Sequence, residues 1–141
     1  MIREHKQDEL EYLWNYHKDR FPNPVPFWQF RETIEKGKVL ISEIQGEWDL
    51  IIEGFLISLI DQDEPWIWDI YTKPWHRNRG VGSALLNEIE KHYKGYKRIC
   101  LYVAPDNPAQ KLYFDLGYRV IEVVDHVYET GPALKMVKNL I

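Results

Sequence analysis

Apolar residues recur in this chain at two spacings, and the changes between them mark out the elements. Leu10, Leu13, Trp14 and His17 fall at helical spacing, so residues 8–20 read as a helix. Residues 27–36 read as a second helix, closed by Gly37 just past its C-cap. Between them, prolines 22, 24 and 26 break the chain into a loop. The pattern then turns to β-branched and aromatic runs at 38–45, 50–60 and 66–72, joined by turns at 46–49 and 61–65. A helix at 82–93 carries Leu85, Leu86 and Ile89 on one face. A strand at 98–103, a helix at 108–116 ended by Gly117, and strands at 118–124 and 128–137 complete the chain, with a short strand at residues 1–4.

The order is β-α-α-β-β-β-α-β-α-β-β. That is an α+β chain with a mixed, mainly antiparallel sheet. The helix that starts near Gly82 is a crossover, which makes 66–72 and 98–103 parallel neighbours. No repeat, linker or low-complexity segment interrupts the pattern, so one domain over residues 1–141 is expected.

Composition narrows the classes. Hydrophobic residues at 45% and charged residues at 28% support a packed core and argue against disorder. A net charge of −4 argues against nucleic acid as a general partner. No apolar run reaches membrane-spanning length, so a cytoplasmic protein with no membrane association is expected. The single cysteine, Cys100, excludes an internal disulfide framework and reads as a small buried hydrophobe. His5, His17, His92 and His126 are dispersed and show no metal-ligand spacing, so no metal is expected. Aromatics at 14%, six of them Trp, exceed what a core of this size requires, and some are expected to line a pocket.

One stretch carries chemistry. The strand-like Trp66-Ile67-Trp68-Asp69-Ile70-Tyr71-Thr72 is followed by Arg77-Asn78-Arg79-Gly80-Val81-Gly82-Ser83 and then the helix. A strand, a basic glycine-rich turn and a helix N-terminus together make a phosphate site. The helix start offers unpaired N–H groups and the positive end of its dipole. Glycine lets the backbone approach a phosphate closely, and arginine adds permanently charged donors. A dinucleotide fingerprint would need a third glycine where Leu85 stands, and a Walker A loop would need Gly-Lys-Ser/Thr, which is missing.

Arg77-x-x-Gly80-x-Gly82 resembles the Arg/Gln-x-x-Gly-x-Gly/Ala signature of the GNAT family of N-acetyltransferases. Residues 107–118, Asn107-Pro108-Ala109-Gln110-Lys111-Leu112-Tyr113-Phe114-Asp115-Leu116-Gly117-Tyr118, resemble the same family's Asn-x-x-Ala-x-x-x-Tyr-x-x-x-Gly-Phe segment. Here Ala stands one place earlier and Tyr118 replaces Phe. The resemblance is good over residues 66–120 and holds elsewhere in outline. It implies a sheet with helices on both faces, whose two parallel strands splay apart around the pantetheine arm of acetyl-CoA. It implies acetyl transfer to a primary amine by direct attack in a ternary complex. The pyrophosphate would lie on the turn from Arg77 through Asn78, Arg79, Gly80, Val81 and Gly82 to Ser83. Backbone at Ile70, Tyr71 and Thr72 would hold the pantetheine amides and the thioester oxygen, and Asn107 would orient the arm or cap its helix. Tyr113 would be the general acid for the departing thiolate.

The general base stays open among Asp69, Glu64, Glu53 and a water chain. By strict alternation Asp69 shares a face with Ile67 and Tyr71, opposite Trp66, Trp68, Ile70 and Thr72. His76 is expected at the surface or near phosphate, with no base role. The resemblance assigns the acceptor side to the first two helices, where Trp14, His17, Phe21, Phe27, Trp28 and Phe30 lie. Asp61, Asp63, Glu64 and Asp69 add carboxylates. The amine itself stays open, small molecule or peptide, as does a homodimer. The alternative is a non-catalytic acyl-CoA-binding module, which would have less need of Tyr113.

Overall fold

The computed structural model of the chain describes every residue except 22, 23, 129 and 130, together with the side chain of His126. Parts of the expected proline loop and of the last expected strand therefore lie outside the described residues. Strand β1 (Ile2–Glu4) leads through a 3-10 turn into α1 (Leu10–Lys18) and then α2 (Phe27–Glu35). Strands β2 (Gly37–Gln45), β3 (Leu50–Asp61) and β4 (Glu64–Thr72) follow as an antiparallel meander. Helix α3 (Val81–His92) crosses over to β5 (Arg98–Val103), and α4 (Ala109–Asp115) precedes β6 (Arg119–Tyr128) and β7 (Gly131–Asn139). The described strands form one sheet in the order β1-β2-β3-β4-β5-β7-β6. No described helix is long and apolar enough to cross a membrane.

The two faces of the sheet build two cores. Val39, Ile41, Phe55 and Ile57 pack on Leu10 and Leu13 of α1 and on Phe30 and Ile34 of α2. Leu40, Leu56 and Ile67 point the other way, to Val81, Leu85, Leu86 and Ile89 of α3 and to Tyr113 of α4. Leu85, Leu86 and Ile89 are fully buried, and each such side chain contributes about 1.5–3 kcal/mol. Polar contacts fix how α3 lies. Ser58 and Tyr93 hydroxyls meet at 2.7 Å, while Tyr118 Oη and Lys138 Nζ both donate to the Glu90 carboxylate at 3.0 and 2.6 Å.

Three features depart from simple periodicity. First, the β3–β4 register pairs Ile57 with Asp69 and Ser58 with Ile67, so Trp68 is an extra residue on β4. Such a bulge reverses the phase of every later side chain. Ile67 and Ile70 therefore both join the α3 core, while Trp68 and Tyr71 join the α1–α2 core. This corrects the expectation that Ile67 shares a face with Asp69 and Tyr71. Second, β4 and β5 pair in parallel only at Trp66↔Cys100 and Ile67↔Leu101 and then separate, although β4 continues to Thr72 and β5 to Val103. Third, Tyr128 belongs to β6, where it pairs with Gly131, and does not open the last strand. The stretch between the two expected strands holds a register shift within β6, between Val124 and Tyr128, and β6 has another between Val120 and Glu122. β7 takes the inner place because it brings buried Ala133, Met136 and Val137, whereas Val120, Ile121 and Val123 of β6 stay exposed.

Gly37, expected to close the second helix, follows its C-cap Lys36 without a left-handed φ and opens β2, where close packing requires a glycine. A Cβ there would lie 1.8 Å from the Ser58 carbonyl oxygen on β3. Gly95, by contrast, has nothing within 4 Å of the same position. Gly37→Ala is expected to cost about 1–3 kcal/mol of stability, because backbone has to move. Gly95→Ala is expected to stay within about 0.5 kcal/mol of the parent. Urea unfolding of the two variants side by side checks this.

Candidate active site

The phosphate-type turn is built by two left-handed residues in close succession. After β4 a short 3-10 turn runs Pro74–His76, then Asn78 takes φ 63° and Gly80 takes φ 80°. Gly80 caps α3 in a conformation that a side chain would strain. The first helical bond runs from Ala84 N to Gly80 O at 2.9 Å, which leaves the amides of Val81, Gly82 and Ser83 unpaired within the helix. Arg77 folds back, its Nε donating to Thr72 O at 2.9 Å.

A cavity of about 610 Å³ runs from this turn along the end of β4 to α4. Arg77, Asn78, Gly80, Val81, Gly82 and Ser83 line one end; Ile70, Tyr71 and Thr72 line the strand side; Asn107 and Tyr113 line the far end. The sequence-derived cofactor positions therefore converge on one space, except Arg79, which is exposed and lines no described cavity. Asn107 accepts a hydrogen bond from Ala109 N at 2.9 Å, so it caps the α4 segment, and it also faces the cavity.

A second cavity, of about 440 Å³, opens further back along β4, between Ile67–Ile70 and residues 101–104 at the end of β5. Phe21, Trp68, Tyr102 and Tyr128 give it aromatic walls, and Asp69 adds a carboxylate. Arg20, Ile70, Asn107 and Tyr113 line both cavities, so the two meet at these residues. A third space of about 360 Å³ adjoins it, with Asp61 and Trp66 in its wall.

Asp69 is buried at that junction. Its Oδ2 accepts from His17 Nδ1 at 2.9 Å and from Arg20 Nη2. Oδ1 has no protein partner among the described residues. Arg20 also donates to Tyr16 O at 3.0 Å, and its guanidinium lies over the Tyr71 ring at 4.4 Å. The end of α1 is thereby tied to β4. The sequence pointed to His17 only as part of the acceptor wall, not as the partner of Asp69, and did not point to Arg20 at all. A charge count could have found them: they stand near the end of a helix, and an aspartate in an apolar strand requires a partner. Tyr113 is 6% exposed. Burial, followed by the charge of Asp69, pushes its phenol well above the usual tyrosine range, against the pull of Arg20. Burial and Asp69 push Tyr128 the same way.

The other carboxylate candidates sit differently. Glu64 lies at the opposite end of β4 and lines none of the described cavities. Arg98 takes both of its oxygens and holds its carboxyl below the usual range. Glu53 is buried on β3, where its Oε1 accepts from Ser42 Oγ at 2.7 Å. Of the aromatic residues expected on the acceptor side, Phe21 reaches the cavities. Trp14 and Phe27 pack edge to face, with Phe30 in the core, while Trp28 is exposed. The rest of the aromatic wall comes from Trp66 and Trp68 of β4, Tyr102 of β5 and Tyr128 of β6. Cys100 is buried in β5, and burial raises its thiol above the ordinary range.

Known proteins share this architecture. A family model described as the acetyltransferase (GNAT) family matches residues 2–118. An uncharacterized N-acetyltransferase of Methanocaldococcus jannaschii is 26% identical over 150 residues, covering 99% of this chain and 91% of that protein. Arabidopsis thaliana NAA60, solved in complex with acetyl-CoA, superposes with a TM-score of 0.84 at 19% identity, covering 99% of this chain and 97% of its own. Ard1 from Thermoplasma volcanium gives a TM-score of 0.84 at 17% identity, covering 100% and 97%. With its turn, its parted strands and a family match over most of its length, the chain belongs to the GNAT family of acetyltransferases.

Proposed function

We propose that the chain moves the acetyl group of acetyl-CoA to a primary amine by direct attack within a ternary complex. The observation that carries this reading is the meeting of the two cavities, which lie along successive stretches of β4, at Arg20, Ile70, Asn107 and Tyr113. A cofactor threaded from the α3 turn would present its thioester there, and an amine entering between Phe21, Trp68 and Tyr128 would reach it from the second cavity. Holding both reactants at one point supplies much of the rate, because proximity removes several kcal/mol of barrier. The crystallised complex of NAA60 with acetyl-CoA supports the choice of co-substrate.

The roles follow from position. The free amides of Val81, Gly82 and Ser83, with Arg77, receive the pyrophosphate. The β4 backbone from Ile70 to Thr72, unpaired with β5, receives the pantetheine amides and offers an N–H to the thioester oxygen. The amine nitrogen attacks the acetyl carbon, the C–S bond breaks, and the sulfur leaves as thiolate. Tyr113 donates a hydrogen bond to that sulfur and passes its proton as the cofactor thiol forms, and the phenolate, which burial and Asp69 disfavour, takes a proton back from solvent as product leaves. The amine's proton goes to Asp69 through its unpartnered Oδ1, directly or over a water. Glu64, held by Arg98 away from the cavities, takes no part.

Thioester consumption across a panel of small and peptide amines, read as free thiol, is the primary test. Binding of CoA with no turnover on any amine would replace the enzyme with a non-catalytic acyl-CoA-binding module. Given a substrate, Tyr113→Phe is expected to lower kcat by about 10²-fold or more with little change in acetyl-CoA affinity. Equal kcat would mean that thiolate departs without Tyr113. A Cβ at position 82 sits 3.1 Å from Leu112 Cδ2 and beside the cavity. Gly82→Val is therefore expected to weaken CoA binding by about tenfold or more in calorimetry while the protein stays folded, since valine is no worse a helix former than glycine.

A further inference from the structure

Strand β3 places a glutamate in an otherwise apolar run, Leu50-Ile51-Ile52-Glu53-Gly54-Phe55-Leu56. Glu53 is buried, and Ser42 satisfies only its Oε1. Its Oε2 stands 3.5 Å from Nδ1 of His76, just beyond hydrogen-bond reach. That Nδ1 is itself buried and has no partner among the described residues. The same histidine lines the cofactor cavity beside Arg77 and Asn78. A half-satisfied carboxylate and an orphaned imidazole nitrogen thus face each other directly behind the phosphate turn. Leaving both unpaired is unfavourable, and closing the gap by a few tenths of an ångström makes a charge-assisted bond.

We infer that His76 is an anion-binding residue of the cofactor site, and that it takes up a proton when the pyrophosphate binds. The protonated ring donates from Nδ1 to Glu53 and from Nε2 to the ligand, linking a buried carboxylate on β3 to the phosphate turn. The inference rests on the proposed use of that turn for CoA. The surrounding charges explain why the ligand is needed. Glu53 favours the charged ring. Arg77 and Arg20, which line the same cavity, oppose it, as do Lys73 and Arg79 nearby in the chain. Glu43, the next carboxylate on β2, is already held by Arg3 at 3.0 Å. Two phosphate charges tip the balance, and imidazole is the side chain that titrates in this range. The bound state then holds more protons than the free state. Affinity is therefore fully developed at low pH and falls as pH rises, by at most about tenfold per pH unit for one proton.

The test uses dephospho-CoA, which keeps the pyrophosphate and lacks the phosphate monoester that would itself titrate near pH ~6. Titration calorimetry of the full chain, in buffers of different ionisation enthalpy between pH 6 and pH 8, reads proton uptake directly. The expected result is uptake of a substantial fraction of a proton and a dissociation constant that rises several-fold across the range. His76→Gln, which keeps a donor without a titrating ring, is expected to abolish uptake and flatten the pH profile. Glu53→Gln, which keeps the shape and the Ser42 contact, is expected to reduce both. Wild-type binding without proton uptake overturns the inference while leaving the cofactor reading intact, and this arm needs no variant to fold. Uptake that persists in His76→Gln also overturns it. Failure of both CoA and dephospho-CoA to bind at any pH removes the cofactor reading, and the inference with it.

Discussion

Two strands that begin as parallel neighbours and then stop bonding impose the plan of the molecule. Trp66 and Ile67 pair with Cys100 and Leu101, and beyond them the backbone groups of β4 have no partner on β5. Unpaired strand backbone inside a fold is costly unless something else bonds to it. The gap thus leaves N–H and C=O groups of β4 without a strand partner on that side. The α3 turn lies at the mouth of this gap because β4 runs straight into it, and Tyr113 lies at its depth because α4 follows β5. The β4 bulge at Trp68 is the local device that lets the strand turn away from its neighbour.

Charge satisfaction binds the cleft to the rest of the protein. The carboxylate of Asp69 is buried, and such a group is tolerated only with donors around it. The donors are His17 in the last turn of α1 and Arg20 just past its end, so the helix that covers one face of the sheet also fixes the junction of the cavities. The α1–α2 core and the cleft are consequently one mechanical unit. The Glu90 carboxylate plays the corresponding part on the other face, joining α3 to Tyr118 and Lys138.

Much of this was legible in the residue pattern. The element order, the crossover and the phosphate turn follow from local chemistry: period, glycine and proline placement, and basic residues at a helix start. Asn107 and Tyr113 were placed by the resemblance of residues 107–118 to a family segment, and both line the cleft. What resisted reading was non-local. The bulge at Trp68 arises from how β4 registers against β3, and it moves Ile67 to the face opposite Asp69, against simple alternation. The pairing of Asp69 with His17 and Arg20 joins residues some fifty positions apart. The inner position of β7 depends on comparing two strands for burial, which a single pass along the chain does not do. The aromatic walls of the second cavity come from β4, β5 and β6 together, so no one segment announced them.

The edge of the sheet has its own consequence. β6 is a ten-residue outer strand carrying exposed Val120, Ile121 and Val123, a combination that would ordinarily template aggregation by strand addition. Its two register shifts break the strand into short stretches, so another chain could not zip along it without interruption. The irregularities that made this strand hard to delimit thus act as a solubility device, and straightening them would be a route to a fibrous, self-associating protein.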